Sequence, residues 1–249
     1  MSVFWGILVG FSLVAGAVAA ATVRLPSRVA AMLAAFGGGT LLAAVALELI
    51  PEADRGAGVG LTAAGLLAGM LVYVAADAWL NRNEDSAMMR RAGHAAAAGG
   101  DMKMPADSSE ATRGESIAVG LFVDGVPESV ALGLTIAEGE IGVALLGGIL
   151  IGNLVEAYGA SLAIIKGGRS RGFAVRLLGA IGVALAVATV LGTVVDASPE
   201  LIGFAQAVAA GAVLAVVSIS IIPHAFAVVS RLAAAATVLG FAAGYLLSV

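Results

Sequence analysis

Eight runs of mainly apolar residues, each roughly the 20 residues needed to cross the hydrocarbon core of a bilayer, constrain this chain more than any other feature. They lie at about 3–22, 29–50, 59–80, 115–137, 141–165, 173–195, 200–224 and 231–248, bounded by proline, glycine and clustered charge. Between them only the stretch 81–114 is long and polar, and it is expected to be a flexible loop. The chain is 60% hydrophobic and 12% charged, whereas a soluble domain is about 25% charged. That balance excludes a soluble enzyme, a disordered protein and a nucleic-acid binder. The expected fold class is all-α: a polytopic membrane protein forming one transmembrane domain over residues 1–249. The first run has no basic segment before it and is followed by Arg24 and Arg28, so it is expected to be a retained helix and not a signal peptide. With no cysteine, a disulfide framework, a thiolate zinc site and a cysteine nucleophile are all excluded.

An even number of spans puts both termini on one side, and the basic residues say which. With the termini outside, Arg24, Arg28, Arg82, Arg90, Arg91, Lys103, Arg113, Lys166, Arg169, Arg171, Arg176 and Arg231 all fall at the cytoplasmic face, and only Arg55 falls outside. Lys and Arg concentrate on the cytoplasmic side of membrane proteins, so the N- and C-termini are expected outside, in a cell membrane. The loop 81–114 is then cytoplasmic. His94 and its neighbouring carboxylates could collect metal there, or the segment is a plain linker.

Leu49-Ile50-Pro51-Glu52-Ala53, at the end of the second run, is echoed by Ile221-Ile222-Pro223-His224-Ala225 at the end of the seventh. The two runs point in opposite directions across the membrane. Matched segments of opposite direction are what an inverted repeat leaves in a secondary transporter, and here they favour a 3+2+3 arrangement with the fourth and fifth spans in the middle.

An ionisable residue inside a span is costly and marks a functional site by default. The deep ones are Asp124, Glu128 and Glu156, with Asn153 beside them. Asp124 and Glu128 are i and i+4, and Asn153 and Glu156 are i and i+3, so each pair shares a helix face. Counted from the short turn at 138–140 at about 1.5 Å per residue, Glu128 lies roughly 13 Å deep, Asp124 roughly 20 Å, Asn153 roughly 18 Å and Glu156 roughly 22 Å. All four therefore reach one layer near the midplane. Pro127 adds an oxygen, because it cannot donate to the carbonyl of Val123. Like charges this close need a cation or protons, and an oxygen-rich set without sulfur suits a divalent ion such as Mn, Mg, Fe or Zn. The alternative is a set of protonated carboxyls that hold the bundle together by hydrogen bonds. Nearer the inner side, Asp77 and His224 fall at similar depth, either as an exit station for an ion or as helix-end groups. Glu48 and Glu52, with Pro51, would form an outer mouth or simply solvate a helix end.

On these residues the chain resembles the ZIP (Zrt/Irt-like) family of divalent metal transporters. Asp124-Gly125-Val126-Pro127-Glu128-Ser129 is similar to the family's fourth-helix signature His-Asn-x-Pro-Glu-Gly, with Asp124 in place of the histidine and Gly125 in place of the asparagine. Gly152-Asn153-Leu154-Val155-Glu156-Ala157 resembles the fifth-helix motif, Glu48-Leu49-Ile50-Pro51-Glu52 the end of the second helix, and Pro223-His224 the seventh. The sixth run carries no acid, where two-metal members of the family place a glutamate. The resemblance implies a transporter of Zn, Mn or Fe as substrate, without organic cofactor. It implies a single reduced metal site of Asp124, Glu128, Asn153 and Glu156, movement of the ion toward the cytoplasm by alternating access, and a homodimer in the bilayer.

Two other readings remain open on sequence: a proton-coupled carrier of another small solute, and a non-transporting relative of the family. Enzymatic activity is not expected. Asp124 has no second deep aspartate for an aspartyl protease, and His94 and His224 lie toward the inner side, away from any deep serine.

Overall fold

The computed structural model describes residues 2–80, 110–137, 139, 142–166, 168–194 and 198–248. Among these the protein is all-helical, without strands. In chain order the helices are α1 (Ser2–Thr22), α2 (Ser27–Ala44), α3 (Ile50–Leu80), α4 (Glu110–Ala137), α5 (Val143–Lys166), α6 (Arg171–Thr193), α7 (Pro199–Val216), α8 (Ile222–Val229) and α9 (Arg231–Leu247). Single π-helical turns, Val45–Leu49 and Val217–Ile221, join α2 to α3 and α7 to α8. Helix α4 begins at Glu110, so 110–114 are helical and not part of the loop expected over 81–114. The rest of that loop, with His94, lies outside the described residues.

Local chemistry sets the ends of these helices. Ser170 and Ser198 cap α6 and α7, their hydroxyls accepting from the backbone N–H of Phe173 at 3.1 Å and of Leu201 at 3.4 Å. Pro199 opens α7, where its missing N–H costs nothing. The link from α1 to α2 is tied to α5 by the buried Tyr158, whose hydroxyl accepts from Leu25 N–H at 2.8 Å and donates to Val23 O at 3.2 Å.

Among the described residues five stretches are long and apolar enough to cross a membrane: Val3–Thr22, Ser27–Trp79, Val143–Ile165, Arg171–Thr193 and Pro199–Val229. The chain is a multi-pass membrane protein on that measure. Helices of this composition carry apolar residues on every face, and they leave Phe4, Ile7, Phe11, Leu67 and Leu71 exposed on the outside of the bundle. Ser27–Trp79, at 53 residues, would be about 80 Å long as a straight helix. It is instead broken at Gly58, whose φ of 76° and ψ of 159° belong to no helix and suit only glycine. Packing on α7 shows that the chain reverses there. Before the break, Glu52 meets Gln206, Ala53 meets Gly203 and Gly56 meets Pro199, an antiparallel register. After it, Gly65 meets Phe204 and Ala207, and Gly69 meets Val208 and Ala212, a parallel one.

Small residues make these close approaches possible. The most extensive packing is between α3 and α7, followed by α2 with α9, α1 with α6, α1 with α5, α4 with α6, α2 with α5, α2 with α8, α4 with α7 and α4 with α5. Leaving aside the short α8, the set is unchanged when α1 is exchanged with α6, α2 with α7, α3 with α9 and α4 with α5. At Gly69 a side chain would run into the backbone of Val208 and Ala212, which no rotamer change can move aside. Gly69→Val is therefore expected to destabilise the fold by at least about 1–3 kcal/mol, the usual cost of overpacking. Thermal unfolding in detergent micelles measures it.

Candidate metal site

The residues expected to bind a cation sit on α4 and α5, which pack against each other. In α4, Pro127 lies inside the helix and withholds the N–H that Val123 O would otherwise receive. Glu128 follows it and is 5% exposed, and Ser129 is fully buried with no hydrogen-bond partner for its hydroxyl among the described residues. In α5, Asn153 is 3% exposed and Glu156 half-buried, one turn further along. The amide nitrogen of Asn153 has no hydrogen-bond partner among the described residues. The two ends of an Asn amide are exchangeable by a flip, so the carboxamide can turn its oxygen to the same place. Asp124 lies on α4 four residues before Glu128, but its carboxylate is outside the described side chains.

Among the described residues no group of three or more His, Asp or Glu is close enough to hold a metal ion. Described acids thus contribute at most in pairs. A full oxygen set around a cation here would draw on Asp124 and on neutral donors, the Asn153 amide and the carbonyl that Pro127 releases.

The other expected positions divide differently. Glu48, in the first π turn, accepts from Ala144 N–H through Oε1 and from Leu145 N–H through Oε2, both at 3.2 Å. It caps the N-terminus of α5 from a different helix, satisfying two of that helix's orphan donors and meeting its positive end. Sequence carries one trace of this: Gly142, just before α5, has no side chain to cap it, and a Cβ there would crowd Glu48 Oε2. Glu52, buried at 7% exposure, accepts from Gln206 Nε2 on α7 at 3.2 Å. Gln206 is the partner of Glu52 that the sequence reading missed, although a fully buried amide in an otherwise apolar helix is itself a signal.

His224 and Asp77 are both half-buried. Nδ1 of His224 lies 2.5 Å from Ser220 O. With its proton on Nδ1 the neutral ring donates there, which makes Nε2 the acceptor nitrogen. Helices α3 and α8, which carry the two residues, are not among the extensively packed pairs.

No protein-family model matches the chain, and a search of curated proteins finds no significant match.

Proposed function

We propose that this protein is a divalent-cation transporter of eight spans, with Asp124, Glu128, Asn153 and Glu156 as the site between the fourth and fifth spans. The second span is α2 with its π turn and residues 50–57 of α3, and the third is residues 59–80. The fourth to sixth are α4 to α6, the seventh is α7 with α8, and the eighth is α9. Both termini are outside on the basic-residue distribution. A 3+2+3 inverted repeat agrees with the exchange-symmetric packing of the helices and with the two π turns, each placed immediately before an Ile-Pro pair.

One observation carries the functional reading: a buried carboxylate, Glu128, and a buried amide whose nitrogen lacks a partner among the described residues, Asn153, sit on neighbouring helices of an apolar bundle. Polar groups at such depth are expensive and are kept for ion pathways. An oxygen set of this kind suits Mn, Fe or Zn as substrate. The ZIP-like motif around Pro127-Glu128 agrees, and with it inward movement by alternating access and a homodimeric assembly.

The test is uptake of radiolabelled Mn, Zn and Fe into proteoliposomes. Uptake above that of protein-free vesicles, saturable and competed by the other metals, is expected. Uptake equal to that of empty vesicles for all three ions removes the reading.

A further inference from the structure

Each π turn leaves a backbone oxygen without a helical donor at the equivalent place. In the first turn, Ile50 N–H bonds to Val45 O. The carbonyl of Ala46 thereby loses its α-helical donor, and its π-helical donor would be residue 51, a proline with no N–H. In the second turn, Ile222 N–H bonds to Val217 O, and Pro223 deprives Ser218 O in the same way. Ala46 and Ser218 are exposed, as are the two prolines. At membrane depth a backbone carbonyl without a helical donor is not tolerated against lipid; at such an exposed residue it is tolerated where it lines a water-filled cavity.

The helix registers give the depth of each turn. Gly37 of α2 packs on Ile151 and Gly152 of α5, while the adjacent Gly38 packs on Val217 and Ile221 of the second turn. The second turn therefore lies level with Asn153, the next residue after Gly152. The first turn lies level with the start of α5, because Glu48 bonds to Ala144 and Leu145. From Ala144 to Asn153 is roughly 13 Å along the helix. The two carbonyls without a helical donor thus mark two levels, one at the start of α5 and one at the candidate site. A carbonyl oxygen is a hard, neutral ligand of the kind that replaces part of the water around Mg, Ca or Mn.

We propose that Ala46 O and Ser218 O face one aqueous path and serve as successive oxygen ligands for a partly hydrated divalent cation, the first outside the site and the second beside it. The ligand role rests on the transport reading above, whereas the wetting of the two turns does not. Because the chain has no cysteine, single cysteines report directly. Ala46→Cys and Ser218→Cys, in full-length protein in proteoliposomes with a charged methanethiosulfonate supplied on both sides, are expected to react at least about tenfold faster than Leu71→Cys on the outer apolar face, since the reaction needs a hydrated thiolate. Rates no higher than that of Leu71→Cys overturn the proposal.

Pro51→Ala and Pro223→Ala each return an N–H to the neighbouring carbonyls and are expected to slow Mn uptake by about tenfold, as loss of a supporting metal partner does. Wild-type uptake in both variants overturns the ligand role. If wild-type protein takes up no metal while both cysteines label, the transport reading fails and the wet turns stand; if it transports and neither cysteine labels, the wet turns fail alone.

Discussion

Glu128→Ala is expected to reduce metal uptake by at least about a hundredfold, since even partners that only support a metal ligand cost 10–100-fold when removed. Glu128 is 5% exposed within an apolar bundle, and a cation that binds its carboxylate stabilises the folded protein that holds it. Metal should therefore stabilise the wild type by about 2.7 kcal/mol at a hundredfold excess over Kd and leave the thermal unfolding of Glu128→Ala unmoved. The competing role, a protonated strut holding α4 in place, predicts no response to metal in either protein. Glu156→Ala is expected to behave like Glu128→Ala in uptake.

The acids of the candidate site were legible because the background is so apolar. In spans whose charges otherwise sit near the ends, Asp124, Glu128 and Glu156 stand out without any geometry, and Pro127 beside Glu128 marks the same place a second time. The span ends were less legible, for physical reasons. Glu52, Asp54 and Arg55 read as a loop, yet Glu52 is buried against Gln206 and the helix continues to a reversal made by one residue, Gly58. Charges at 110–114 also read as loop, whereas a helix that projects beyond the apolar core can carry them. The π turns use the same residue types as the helices around them. Only the repeated Ile-Pro pair hinted at them, because a proline that cannot donate makes an extra residue per turn easier to accommodate. Glu48 reads as an acid at a helix end, but its partners are backbone N–H groups about a hundred residues away, and every residue but proline carries such a donor, so that only Gly142 beside them leaves a trace in sequence.

Glu48→Ala is expected to have the second-largest effect, by a different route. Its carboxylate holds Ala144 N–H and Leu145 N–H, two donors at the start of the helix that carries Asn153 and Glu156. Removing it leaves both unsatisfied in a partly buried place, at a cost of about 1–3 kcal/mol for each. Two or more kcal/mol of destabilisation should appear in thermal unfolding, and faster amide hydrogen exchange should be confined to the first turn of α5. Glu48→Gln keeps one oxygen acceptor and the shape, so it is expected to recover about half of the loss, in line with the greater strength of hydrogen bonds to charged groups. Uptake should fall in the same order, because a frayed α5 no longer holds its ligands at one depth. An exchange pattern in α5 unchanged by Glu48→Ala would show that the cap does not hold the helix end, and would return Glu48 to the outer mouth as a group exposed to the incoming ion.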